Sequence, residues 1–245
     1  MSKFFVEKNQ ISQTHAVLTG SDVAHISRVL RLGQGDALLL CDGEGYDYEA
    51  RISAVSKEEI TAEILRRYPC KNEPTTEVTL FQGLPKQGKM EWIIEKCTEM
   101  GITTIVPVQM ARSVVKLSPE QASKKLERWQ KTAREAAKQC GRGRIPRVMM
   151  PVTLSQLSRS ELPEFLLFPY EEERTSSVRQ ALAGKKSKTA GIFIGPEGGF
   201  DPEEASQLLS FGAHSVTLGP RILRTETAGL AALTVLLYEW DEMQC

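Results

Sequence analysis

Histidine, cysteine and net charge are all scarce in this chain. Its three histidines, His15, His25 and His214, lie far apart, and none forms a plausible pair with a nucleophile, so a hydrolytic triad has no support. The five cysteines (Cys41, Cys70, Cys97, Cys140, Cys245) fit no zinc spacing, and an odd count argues against a disulfide framework. Free thiols in a reducing cytoplasm are the expectation, with no metal. Lys plus Arg and Asp plus Glu both number 31, so overall charge points to no nucleic-acid partner and any basic signal must be local. No apolar run approaches the roughly 18 residues of a bilayer span. The opening residues hold no apolar core of signal-peptide length. Several motifs are missing too: no Gly-Lys-Ser/Thr phosphate loop, no G-x-G-x-x-G after a first strand, no H-E-x-x-H and no G-x-S-x-G.

What is present is a change of rhythm along 245 residues, of which 41% are hydrophobic. Residues 1–70 read as short strands at 4–6, 16–18, 37–41, 48–55 and 61–66, with a hairpin turn at Asp42-Gly43-Glu44-Gly45. A single helix, capped by Ser21 or Asp22 and ended by Gly33, interrupts them. The expectation is a small β-barrel. Residues 71–76, with Pro74 and several polar residues, read as a linker. From 77 to 245 strands alternate with helices, as in a parallel sheet covered on both faces: strands at 78–82, 103–108, 165–168, 192–194 and 215–218, and helices at 120–139 and 227–240. The last helix is apolar nearly all round, which suits either a subunit interface or a central core helix.

Two features suggest chemistry. Residues 124–147 hold nine basic residues against two acids, a local charge of +7 that suits phosphate binding. The helix in the first domain adds His25, Arg28 and Arg31, the two arginines three apart and so on one face. The other feature is a pair of loops, Gly195-Pro196-Glu197-Gly198-Gly199 and Leu218-Gly219-Pro220-Arg221-Ile222-Leu223-Arg224-Thr225-Glu226, each following a strand. Backbone N–H groups gather at such turns, and ligands of parallel sheets sit beyond the carboxyl ends of the strands. Leu167, Phe168, Ile194, Leu218 and Leu223 would supply apolar walls for a flat base, with the turns satisfying its polar edges.

With the blocks at 83–86, 89–101, 133–142 and 25–31, these loops closely resemble the bacterial 16S ribosomal RNA uridine N3-methyltransferase family, a SPOUT-class group, over nearly the whole chain. The resemblance implies an N-terminal PUA-like RNA-binding domain and a C-terminal α/β domain ending in a trefoil knot. It also implies S-adenosylmethionine as methyl donor, a homodimer, and a uridine of the assembled small ribosomal subunit as substrate. On that basis Gly195, Pro196, Glu197, Gly198, Gly199, Leu218, Gly219, Leu223 and Thr225, with Leu167, Phe168 and Ile194, would hold the cofactor. Because uracil N3 carries a proton, a base or a cation is required. Arg224 and Arg221 are candidates to bind a uracil oxygen or phosphate, and Glu226, backed by Glu197, is the candidate base or simply a first-turn acid. Thr225 and Thr227 read as helix caps. His25, Arg28, Arg31, Lys138, Arg142 and Arg144 would grip the RNA. A non-catalytic RNA-binding assembly factor, or a related enzyme acting on another RNA position, stays open.

Overall fold

The computed structural model describes residues 3–86 and 88–243, which divide into two compact units. The first comprises residues up to Glu73 together with Ala137–Ile145. Its strands are β1 (Lys3–Phe5), β2 (His15–Thr19), β3 (Ala37–Cys41), β4 (Tyr46–Val55) and β5 (Glu59–Pro69), in the order β1-β3-β4-β5-β2. Only β1 and β3 run parallel. Alternation places Leu38, Leu40, Tyr48, Ala50, Ile52, Ile60 and Ala62 on one buried side, around Phe4 and Ile26. Register shifts at Glu49/Ala50 and Ile52/Ala54 mark bulges that bend the long β4–β5 ribbon. The β3–β4 turn is held by Asp42, whose carboxylate accepts from the N–H of Glu44 (2.8 Å) and Tyr46 (3.1 Å).

The helix of this unit corrects one expectation. α1 (Ser21–Ala24) passes at once into a π-helical turn, His25–Val29, in which Leu30 N–H reaches back to His25 C=O (2.9 Å). Arg31 then takes a left-handed conformation, φ 57°. The extra residue in the turn and the reversal at Arg31 remove the helical register, so Arg28 and Arg31 do not share a face through α-helical spacing.

Residues Ala137–Ile145 belong to this unit although they follow residues of the other, a membership that the linear division at residues 71–76 does not contain. Here Arg142 is a second correction. Its side chain is 3% exposed and pairs with Glu73 at 2.7 Å, while Glu73 also accepts from the N–H of Gly143 and Arg144 at 2.9 Å each. The guanidinium organises a loop and is not presented to a phosphate. Beside it Lys3, equally buried, donates to Asp47 (2.9 Å) and to Gly141 C=O (2.8 Å). Gly143 is required sterically, because a Cβ there would stand 2.5 Å from Cys70 Cβ. Lys138 pairs with Asp22 at 2.7 Å, and Arg144 is half-buried.

The second unit contains β6 (Glu77–Gly83), α2 (Lys89–Glu99), β7 (Thr104–Gln109), most of α3 (Pro119–Gln139), β8 (Arg147–Val148), β9 (Val152–Thr153), β10 (Phe165–Pro169), α4 (Val178–Leu182), β11 (Thr189–Ile194), α5 (Pro202–Ser210), β12 (His214–Val216) and α6 (Thr225–Glu239). The sheet order is β12-β10-β11-β6-β7-β8, with β9 also on β7, and every pairing is parallel. One face packs Val78, Leu80, Ile105 and Ile192 against α2, α3, α4 and α6. The other packs Phe81, Val106, Phe168 and Phe193 against α5 and Phe200. Parallel strands buried on both faces account for the nearly unbroken apolar runs in the sequence.

α6 is not enclosed on every side. Gly229, Ala232, Leu233, Leu236 and Leu237 are buried, but Leu230 and Val235 are half-exposed and Tyr238 is 66% exposed. Within one chain it is therefore not the central core helix allowed for above. Part of its apolar surface, Tyr238 above all, is left open among the described residues.

Candidate active site

Three adjacent parallel strands, β10, β11 and β12, end on the same side of the sheet, and the loops after them enclose a cavity of about 530 Å³. Its wall runs through Pro169 and Tyr170, then Ile194 to Phe200, then Thr217 to Thr225, and is completed by Lys89 and Ala228. Both Gly/Pro loops of the sequence lie here as far as Thr225, with Arg221, Arg224, Leu218, Gly219 and Leu223, whereas Glu226, the candidate base, is not among the lining residues. Two expected wall residues do not. Leu167 and Phe168 are fully buried, one in each core layer of the sheet, because a residue inside a strand points into a face. The wall starts just beyond them, at Pro169 and Tyr170.

The first loop is held from several sides. Gly83, at the end of β6, lets the chain pass close: a Cβ there would lie 2.6 Å from Pro196 N. Thr225 is not a helix cap. It is the first residue of α6, with Arg224 in the cap position, and its hydroxyl donates to Gly195 C=O at 2.6 Å while accepting from Gln82 Nε2 at 2.8 Å. Arg112 Nη1 donates to Gly198 C=O at 3.2 Å. Gly199 is left-handed, φ 70°, and the Glu171 carboxylate fills the space a side chain would need.

The second loop stays open to ligands. Among the described residues, no backbone hydrogen bond engages the N–H of Leu218, Ile222 or Leu223. Gly219 has φ 105° and open space on its Cβ side. These amides are open to a ligand with polar edges, Leu218 and Leu223 being half-buried and Ile222 exposed.

The charged groups converge on one cation. Lys89, which opens α2, lies 3.0 Å from Glu197 Oε1 and 3.0 Å from Glu226 Oε2. The carboxylates of Glu197 and Glu226, acting as acceptors beside it, hold the Lys89 ammonium above its usual pKa. For Glu197 burial favours the neutral acid, but Lys89 and the Lys86 N–H (3.1 Å) outweigh it and hold the carboxyl below its usual value. Sequence reasoning named the two acids and missed Lys89. The signal was available: a lysine shortly after the carboxyl end of β6, the neighbour of β11 in the sheet. Tyr170, Glu171 and Arg174 were missed as well, since nothing in their spacing marks them.

The RNA candidates of the first unit, His25, Arg28 and Arg31, stand on or next to the π-turn, with Arg31 exposed and the His25 ring edge-on to Phe4 at 5.7 Å. In the second unit the exposed members of the basic run are Lys124, Arg128, Lys131 and Arg147, and Arg128 is paired with Glu91 at 3.0 Å. Among the described residues no group of acids, histidines and cysteines could hold a metal ion.

A parallel sheet whose carboxyl-end loops form a glycine-lined pocket, joined in one chain to a small β unit, defines an α/β ligand-binding domain with a second, smaller domain. The comparisons are specific. The family model for the RNA methyltransferase domain matches residues 71–237, and that for the RNA methyltransferase PUA domain matches residues 18–65. A Bacillus subtilis protein named ribosomal RNA small subunit methyltransferase E is 38% identical over 98% of both chains. A Synechocystis protein of the same name is 35% identical over 94% of this chain and 75% of its own. The crystal structure of a Neisseria gonorrhoeae protein of that name, bound to S-adenosyl methionine, has a TM-score of 0.82 at 32% identity and covers 98% of each chain. The chain belongs to this RNA methyltransferase family.

Proposed function

We propose that the protein transfers a methyl group from S-adenosylmethionine to N3 of a uridine in the 16S RNA of the small ribosomal subunit. The observation that carries this reading is the pocket itself: Leu218, Ile222 and Leu223, whose amides make no backbone hydrogen bond among the described residues, line one cavity with apolar Ile194, next to a loop fixed by Gly83 and Thr225. These groups suit an adenosine, whose faces are apolar and whose edges need donors and acceptors. The cofactor supplies an already activated methyl group, so the protein needs no metal for this step.

The chain's own residues then have three tasks. Glu226 accepts the proton that blocks the N3 lone pair. Arg221 and Arg224, at the pocket rim, hold a uracil oxygen or the adjoining phosphate. The target base must be unpaired or turned out of a helix, because N3 is hidden in a Watson–Crick pair. His25, Arg28, Arg31, Lys138 and Arg144, with the exposed lysines of α3, serve the RNA around it.

The same reading includes a homodimer, supported by the uncovered face of α6 and by exposed Ile222 (87%) and Trp92 (40%). It also includes a knotted C-terminal path and action in the cytoplasm. Among the described residues no helix is long and apolar enough to cross a membrane.

Mass spectrometry of nucleosides from small subunits, prepared with and without the gene, is the test. Loss of 3-methyluridine on deletion, restored by the purified protein, is the expected result. An unchanged nucleoside profile overturns the reading. Absence of S-adenosylmethionine binding in calorimetry would leave a non-catalytic RNA-binding factor.

A further inference from the structure

Lys89 has no assigned part in the reaction described above, yet it is the cation on which both acids converge, Glu197 in the cavity lining and Glu226 at the start of α6. An ammonium carries three N–H bonds. Two carboxylates stand 3.0 Å from it, so at least one N–H is left for a ligand in the cavity that Lys89 lines. Glu226 Oε2 is shut off from water and has no hydrogen-bond partner among the described residues, the charge beside it being the Lys89 ammonium at 3.0 Å. Among the described residues nothing bonds the other Glu226 oxygen. The site thus offers a fixed donor beside a fixed acceptor.

We propose that Lys89 and Glu226 together read the pyrimidine edge, Glu226 accepting from N3–H and Lys89 donating to the carbonyl beside it. This rests on the uridine reading above and adds to it a catalytic and specificity-determining residue. Uracil presents N3–H between two carbonyl oxygens, a donor next to an acceptor, which matches carboxylate and ammonium in turn. Cytosine presents a bare N3 next to an amino group. Against this pair it sets acceptor on acceptor and donor on donor, and leaves two charged groups without partners, the kind of mismatch that discriminates strongly.

The same pair serves the chemistry. As the N3–H bond breaks, its proton passes to the Glu226 carboxylate and its electron pair stays on the ring, spread from N3 onto the neighbouring carbonyl oxygen. Lys89 stabilises the charge that develops on that oxygen. The N3 lone pair forms the new bond to the methyl carbon, the methyl–sulfur bond breaks with its electrons left on sulfur, and Glu226 later gives its proton to water. Glu197, which lines the cavity beside Lys89, holds the ammonium in place as its second carboxylate.

The test compares Lys89→Met and Lys89→Arg in the full-length protein with small ribosomal subunits and S-adenosylmethionine. The expected result for Lys89→Met is a loss of kcat on the order of a hundredfold, the scale of removing one donor from an oxyanion site. Its calorimetric affinity for S-adenosylmethionine should move by less than about threefold, under half the free energy of a tenfold step. Lys89→Arg, which keeps the charge and donors, should retain more activity than Lys89→Met. Full activity in Lys89→Met overturns the proposal. So does a loss of cofactor affinity parallel to the loss of activity, which would make Lys89 a clamp on the loops. Failure of the uridine reading is distinguished by the wild-type protein: if it forms no 3-methyluridine, both fall, whereas if only the Lys89 expectation fails, wild-type 3-methyluridine is still made.

Discussion

The Thr225 hydroxyl donates to the Gly195 carbonyl at 2.6 Å and so ties the start of α6 to the first loop of the pocket. The same oxygen accepts from Gln82, a fully buried residue on β6. Thr225→Val keeps the shape and removes both bonds, leaving one Gln82 N–H and the half-buried Gly195 carbonyl without these partners, while Gln82 keeps its bond to Gly83 C=O, a cost of about 1–3 kcal/mol. Chemical denaturation should show that loss, and calorimetry should show weaker S-adenosylmethionine binding.

Gly83→Ala should damage the site without touching a polar group. The added carbon would lie 2.6 Å from Pro196 N and 2.9 Å from Gly195 C, backbone atoms with no rotamer to yield. The first loop must move, and cofactor affinity is expected to fall at least about tenfold, which is 1.4 kcal/mol. Calorimetry on the folded variant checks it.

Arg142 and the exposed lysines of α3 should separate in their effects. Arg142→Met breaks a pair with side chains only 3% and 11% exposed, so it should cost about 3–5 kcal/mol of stability. The salt dependence of RNA binding should stay unchanged where that variant remains folded. Lys124→Ala with Lys131→Ala should do the opposite: little change in stability, and a salt slope shallower by about one unit per lost phosphate contact. Filter binding at several salt concentrations measures the second effect.

Glu173 gives a pH signature. Its carboxylate accepts from Ser215 Oγ (2.7 Å), Thr175 N–H (2.8 Å) and Ser176 N–H (3.0 Å), and these bonds, that from Ser215 foremost, lower its pKa from 4.5 to about 2. A carboxyl with a depressed folded-state pKa stabilises the fold above its unfolded pKa and loses that contribution as pH falls through the folded value. Glu173→Gln should therefore melt lower than wild type at neutral pH. The difference should shrink as pH falls from 4.5 to about 2. Thermal unfolding across that range is the check.

The open face of α6 predicts self-association. Tyr238→Glu places a charge on it and should shift the protein towards monomer in sedimentation, with the fold intact by circular dichroism.

Much of the secondary structure was legible because period-2 and period-3.6 patterns reflect the faces each element must bury. Strand 37–41 was read to the residue, and the helix read at 120–139 starts at Pro119 in the structure. Asp201 caps α5, the local outcome of Asp-Pro-Glu-Glu. The π-turn at His25–Val29 was not legible, since its residues carry an ordinary helical pattern and only packing selects the wider turn. Nor was the assignment of Ala137–Ile145 to the first unit: a basic run suggests solvent or phosphate, and nothing local says that Glu73, some 70 residues earlier, takes Arg142 out of it.

By itself, then, the sequence determined where strands end and glycine turns begin, because backbone conformation is a local property. That was enough to locate the two pocket loops. Which side chains meet across the pocket was decided by the tertiary structure. Leu167 and Phe168 were drawn into the core by strand alternation, Thr225 became a clasp, and Lys89 came within 3.0 Å of two acids more than 100 residues away. Electrostatic partners are chosen by distance in space, and parallel strands bring together residues that no sequence spacing connects.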